Sequence, residues 1–261
     1  MLIFKEGDIV TRKSHNNDII FKILSINENI AFLKGVDLRI YADSFVDDLV
    51  ISKIEDNDDV IIENNIKEIK MDRDSYFYLP GKILHIDGDN EYLDRCMKFY
   101  KRLGIKANGM TINEKYVNKS IDSLLREYRP DILVITGHDA YFNRNNDKNN
   151  INNYQNSRNF IKAIKEARKY EKNQDKLIII AGACQSNYEE LIKAGANFAS
   201  SPKRINIHAL DPAIIASSIA FSERNQSIDL IRVIEKTKYG SDGVGGIITS
   251  GTMYVGYPRW I

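Results

Sequence analysis

Only two cysteines, Cys96 and Cys184, occur in 261 residues. Two thiols in unlike surroundings build neither a disulfide framework nor a thiolate metal cluster, so reduced cysteines are expected. Net charge is scarce as well. Thirty-seven basic residues oppose 36 acidic ones, which removes the broad field that would draw the whole molecule onto nucleic acid or an anionic membrane. No apolar run reaches the roughly 18 residues of a spanning helix, and the opening MLIFKEGDIV turns charged before an apolar signal core can form. A soluble, unexported, cytoplasmic protein is expected, without nucleic acid or membrane as partner. Histidines number four, and no spacing typical of metal ligands stands out, so no metal and no other cofactor is expected. Internal repeats and heptads are missing too.

What is present falls into two rhythms. Over residues 1–58, short runs such as Asp8-Ile9-Val10-Thr11, Ile19-Ile20-Phe21-Lys22-Ile23 and Ala31-Phe32-Leu33 alternate with turn-like stretches at 13–18 and 27–29. This predicts a small antiparallel barrel of the SH3-like class. The acidic and polar residues 59–80 read as a connection. From 81 to 261 apolar strands alternate with amphipathic helices, which predicts an α/β domain with a mostly parallel sheet flanked by helices, flavodoxin-like in plan. Strands are expected at 83–86, 132–135, 177–180 and 196–199. Tyr92, Leu93, Cys96, Met97 and Tyr100 share one helical face, as do Val117, Ile121, Leu124, Leu125 and Tyr128, and Phe160, Ile161, Ile164 and Ala167. Cys96 therefore belongs to the core. Shorter helices are expected at 186–195, 212–221 and 228–236, and the glycine-rich stretch 240–256 reads as strand or loop. Residues 141–157 form a long Asn-rich loop, of the kind that is usually functional or mobile.

Two of the expected strands run into reactive side chains. Residues 132–136 lead into Gly137-His138-Asp139, and 177–181 lead into Gly182-Ala183-Cys184-Gln185. In parallel α/β sheets, sites form at the carboxyl ends of strands, so a thiol and an imidazole can face one crevice. Ser186-Asn187-Tyr188-Glu189 reads as a capping box, placing Cys184 ahead of a helix N-terminus that favours a thiolate. His138 would accept the thiol proton and later give it to a leaving amine. Taken singly, each residue has a blander reading: a lone strand-end cysteine is commonly a small buried hydrophobe, and a lone histidine is commonly structural. The two strand ends together argue for chemistry.

The stretches Leu84-His85-Ile86-Asp87-Gly88-Asp89, Ile135-Thr136-Gly137-His138-Asp139, Ala181-Gly182-Ala183-Cys184-Gln185-Ser186-Asn187, Gly195 through Arg204 and Ile207-His208-Ala209-Leu210-Asp211-Pro212 resemble the YabG family of sporulation-specific cysteine proteases across nearly the whole chain. The resemblance implies an endopeptidase that processes spore coat and germination-related proteins in the mother cell of a sporulating bacterium, with the spore coat as a further location. It also implies a wider similarity to caspase-like peptidases, where one strand ends in His-Gly and a later one in Ala-Cys. Ala183-Cys184 fits that pattern. The glycine here precedes His138, so Gly137 and the backbone N–H of Asp139 become the candidates for oxyanion support. In caspase-like enzymes the end of the first strand borders the pocket for the residue before the cut, which makes Asp87 and Asp89, with Asp211 further on, candidates for binding arginine or lysine.

Two other readings stay open at this level. Gly182-x-Cys184 with the later His208 resembles the nucleophile elbow of glutamine amidotransferases, although Ser186 stands where a second glycine is usual and no His-x-Glu follows. Asp87, Gly88 and Asp89 also suggest the acidic pocket of a non-catalytic receiver-like signalling module, which would leave Gly182-Ala183-Cys184 unexplained. His85 is expected inside a strand and His15 in a solvated turn. Lys203-Arg204 reads as a solvated surface pair.

Overall fold

The computed structural model describes residues 4–54, 57–69, 71–72, 74–142 and 147–259. It divides into two compact units, residues 1–59 and 60–261.

The first unit is one antiparallel sheet. Its strands are β1 (Ile9–Arg12), β2 (Phe21–Asn27), β3 (Ile30–Gly35), β4 (Tyr41–Phe45) and β5 (Leu49–Ile51), in the order β4-β3-β2-β1-β5. Alternation decides what each strand buries: Val10, Phe21, Ile23, Ala31, Leu33 and Leu49 form one apolar cluster, while Ile30 and Phe32 of β3 point outward. The register shifts by one residue between Ile23 and Ser25, a bulge that bends β2 against β3.

The second unit is layered. Helix α1 (Asp58–Glu68) and strand β6 (Phe77–Leu79) occupy the stretch read as a connection; the helix is anchored by Ile62, which a polar-looking sequence concealed. There follow β7 (Ile83–Asp87), α2 (Asn90–Leu103), β8 (Ala107–Thr111), α3 (Val117–Tyr128), β9 (Ile132–Thr136), α4 (Ser157–Tyr170), β10 (Ile178–Ala181), α5 (Tyr188–Lys193), β11 (Phe198–Ser200), α6 (Asp211–Ala220), α7 (Leu230–Glu235), β12 (Val244–Gly246) and β13 (Tyr254–Gly256). Six strands form a sheet in the order β12-β11-β10-β9-β7-β8, parallel except for β12, while β13 pairs with β6 in a separate antiparallel ribbon. Because successive side chains leave a strand on opposite faces, Ile83, Ile132, Val134, Ile178 and Ile180 pack toward α1, α2, α6 and α7. Leu84, Ile86, Leu133, Ile135, Ile179 and Ala181 pack toward α3, α4 and α5.

That connectivity creates the crevice. From β7 the chain crosses through α2 to β8 on one side, then returns through α3 to β9 on the other side of β7. The order therefore reverses between β7 and β9, and a cleft opens beyond their carboxyl ends, where ligands of open α/β sheets bind. Local chemistry fixes the chain there. Asp89 caps α2 by accepting from the N–H groups of Glu91 and Tyr92 at 3.0 and 3.4 Å.

Candidate active site

The loops that leave β9 and β10 carry His138 and Cys184. The strands pair in parallel with Ile135 opposite Ala181, so each of these two residues lies three positions beyond a paired neighbour. The turn after β10 needs glycine: Gly182 has a φ of +110°, and a Cβ there would stand 2.9 Å from Leu191 and 3.2 Å from Ser200. The two loops are cross-braced. The Asp139 carboxylate accepts from the Ser186 hydroxyl at 2.9 Å, the Ser157 hydroxyl at 2.5 Å, and the backbone N–H groups of Asn156 and Ala140 at 2.7 and 2.9 Å. Burial pushes this carboxyl above the usual aspartate range despite those donors. Gln185 adds a second brace by accepting from the Tyr141 N–H at 3.1 Å.

Cys184 is 1% exposed. Its sulfur accepts from the Ile207 N–H at 3.2 Å, and the thiol faces the Ile207 carbonyl oxygen at 3.8 Å. Tyr239 lies in the same neighbourhood: burial first, then electrostatic interaction with Asp211 and Cys184, raise its hydroxyl above the ordinary tyrosine value. Cys96, by contrast, is enclosed in the apolar layer under α2 and donates to the Ala209 carbonyl at 3.4 Å.

His138 stands between two carboxylates. Its Nε2 is 3.9 Å from Asp89 Oδ2, its Nδ1 is 3.8 Å from Glu114 Oε1, and the Tyr92 ring lies against it with centroids 5.8 Å apart. The same Glu114 oxygen accepts the His138 backbone N–H at 2.8 Å. Glu114, in the turn between β8 and α3, is buried, which opposes its charge, yet hydrogen bonding and attraction from His138 bring its carboxyl below the usual glutamate value. Room for it comes from two glycines. A Cβ on Gly88 or Gly137 would stand 2.2 or 2.3 Å from Glu114 Oε1. Sequence reading passed over Glu114, because a single glutamate in an Asn-Glu-Lys turn has no periodic or motif signal.

The remaining candidates are placed as follows. Asp87 is fully buried in β7, where Oδ1 accepts the Asp89 N–H at 2.9 Å and Oδ2 accepts the Thr136 hydroxyl at 2.7 Å. Thr136 Oγ1 also contacts His85 Nε2 at 2.9 Å, and His85 Nδ1 meets the Tyr100 hydroxyl at 3.1 Å, so His85 is structural. Asp211 is fully buried and accepts the His208 and Lys238 N–H groups at 2.9 and 3.0 Å. His208 turns its Nδ1 onto the Leu210 N–H at 3.2 Å. Among the described residues no group of side chains could hold a metal ion, and no helix is long and apolar enough to cross a membrane.

Two expectations need correction. The cap of α5 is Asn187, whose side chain accepts from the Glu190 N–H at 3.2 Å. Ser186 does not serve because its hydroxyl is used on Asp139 and accepts the Ala183 N–H at 2.9 Å. Nor is Arg204 a solvated surface charge: its side chain is largely enclosed, paired with Glu189 and donating to the Tyr154 hydroxyl at 2.7 Å. In the Asn-rich loop, residues 151–153 form a 3-10 turn and Tyr141 bridges to Tyr154, while 143–146 lie outside the described residues.

The molecule is thus a mixed α/β protein whose mostly parallel sheet carries a cysteine and a carboxylate-flanked histidine at neighbouring strand ends. Comparison narrows this: the family described as YabG peptidase U57 matches residues 5–68 and 53–258. The sporulation-specific protease YabG of Bacillus subtilis (strain 168) is 39% identical over 284 aligned residues, covering 98% of each chain. The chain belongs to the YabG peptidase family, and it is a protease.

Proposed function

We propose that the protein is a cysteine endopeptidase of sporulation, with Cys184 as nucleophile and His138 as general base. What carries this reading is the pinning of the two loops to each other through Asp139 and Ser186, which holds a thiol and an imidazole at the ends of adjacent parallel strands. In the reaction, Cys184 gives its proton to His138 and the sulfur attacks the scissile carbonyl carbon. The oxyanion that forms is stabilised by backbone donors at Gly137 and Asp139. Collapse of the intermediate expels the amine, which takes the proton from His138, and water then hydrolyses the thioester with His138 again as base.

We read the second unit as a caspase-like peptidase domain and the first as an SH3-like barrel. The substrates are proteins of the spore coat and of germination, met in the mother-cell cytoplasm or at the coat, and the cut falls after arginine or lysine. Asp89, beside His138, leads as the specificity carboxylate, with Asp211 on the Cys184 side and Asp87 supporting Asp89 from beneath. The test is cleavage of a purified coat-protein substrate by Cys184→Ala and Cys96→Ala. Cys184→Ala should stay folded and lose all cleavage, Cys96→Ala should keep it, and undiminished turnover by Cys184→Ala would overturn the mechanism.

A further inference from the structure

We infer that Glu114 is a positioning residue for the peptidase reaction, holding the imidazole of His138 from its Nδ1 side while His138 serves as base for the thiol. The inference rests on the Cys184–His138 reading and adds a third member to it. One oxygen does two things: Glu114 Oε1 accepts the His138 N–H at 2.8 Å and lies 3.8 Å from Nδ1. Backbone and ring are thereby referred to the same atom, which restricts both the loop and the rotation of the side chain. A carboxylate at Nδ1 also favours the tautomer that carries its proton there, and it stabilises the imidazolium formed when His138 takes the thiol proton.

The surroundings are shaped for this carboxylate. It is buried between Gly88, in the turn after β7, and Gly137, in the turn after β9, each without a Cβ that would displace it. Neither glycine has a positive φ, so the reason for glycine at both places is space for Glu114 and not backbone conformation. Among the described residues the side-chain partner of Glu114 is His138, through its ring and its N–H. Asp89, 3.9 Å from Nε2, and Tyr92 also face the ring. Asp89 has a second task as the cap of α2, which Glu114 does not share.

The experiment compares full-length wild type with Glu114→Gln and Gly88→Ala, measuring kcat and KM on a peptide substrate, beside Cys184→Ala and His138→Ala. Glutamine keeps an oxygen for the His138 N–H but removes the charge; the alanine keeps the charge and pushes it out of its cradle. Both variants should lose roughly 100-fold in kcat with KM within about twofold. In both, the loss should persist when rates are normalised to the folded fraction measured by circular dichroism. A merely structural Glu114 would lower the folded fraction and leave kcat per folded molecule in place, and this result overturns the inference. The same holds if Gly88→Ala, folded by circular dichroism, keeps the wild-type kcat. An active Cys184→Ala would instead remove the dyad itself, so the two failures are told apart.

Discussion

Ser186 donates its hydroxyl proton to Asp139 at 2.9 Å, and this bond joins the loop after β10 to the loop after β9. Removing the acceptor should be costly, because four donors converge on that carboxylate. Each buried donor left without a partner costs about 1–3 kcal/mol. Asp139→Ala should therefore destabilise the fold by on the order of 3 kcal/mol or more, and Ser186→Ala by about 1 kcal/mol. Urea unfolding followed by far-ultraviolet circular dichroism measures both. Similar stability of Asp139→Ala and wild type would show that the brace is not structural.

Acid sensitivity gives a second expectation. Glu114 has a carboxyl held below its ordinary value of 4.5, with the His138 bonds outweighing burial. A lowered folded value means that its contribution to stability is present above 4.5 and disappears as pH falls through the depressed value. Asp139 works with the opposite sign: its raised value penalises the charged form, so its penalty fades as pH falls. Replacing Glu114 by Gln should thus flatten the loss of stability on acidification below about pH 4.5. Thermal melts at a series of pH values, run on wild type and variant, check this, and parallel curves would contradict it.

Two histidines, His138 and His208, follow strand ends, and they should respond differently. In the proposed mechanism His138→Ala removes the general base, and it should cost about 100-fold or more in turnover. His208→Ala removes a side chain whose Nδ1 accepts the Leu210 N–H, so its effect should be smaller and should appear mainly in stability, about 1–2 kcal/mol. The reverse ranking, or hydrolysis of free glutamine by the wild type, would favour the nucleophile-elbow chemistry.

Much of this arrangement was legible because its signals are periodic. The all-apolar strands 132–135 and 177–180 and the one-sided faces of α2, α3 and α4 follow directly from burial on two faces of a parallel sheet. Strand β8 escaped because Ala107-Asn108-Gly109-Met110-Thr111 is an edge strand, half exposed and poor in branched residues. Helix α1 escaped because only Ile62 of its eleven residues is buried. At the candidate site, Cys184, His138 and Asp89 stand out in the sequence by their strand ends, whereas Glu114 reaches His138 across the turn from a strand two places along the sheet from β9. Tertiary contact of that kind leaves no local mark in a sequence. The capping role assigned to Ser186 failed for a related reason: Asp139, 47 positions away, claims its hydroxyl.

Specificity is the last expectation, and it turns on which carboxylate a substrate can reach. Asp87 has both oxygens engaged, by the Asp89 N–H and the Thr136 hydroxyl, and Asp211 has both engaged, by the N–H groups of His208 and Lys238. Both are fully enclosed, whereas Asp89 is 8% exposed, caps α2 through Oδ1 and has Oδ2 3.9 Å from His138 Nε2. A guanidinium that reaches this carboxylate can pair with it through charge-assisted hydrogen bonds, and its planar fork exceeds a lysine ammonium in fixing geometry. Arginine before the cut should therefore lead, lysine should follow, and neutral residues should be poor substrates. A charge-assisted bond contributes about 1.5–3 kcal/mol, so Asp89→Asn should lower kcat/KM for arginine peptides by roughly 10- to 100-fold, with little change for neutral ones. Asp211→Asn should matter less, and Asp87→Asn should act mainly through stability. The measurement is a peptide library varied at the residue before the cut, run on wild type and the three variants. Equal cleavage after neutral and basic residues by the wild type would end the acidic-pocket idea, and loss of arginine preference in Asp211→Asn alone would move the pocket to the Cys184 side.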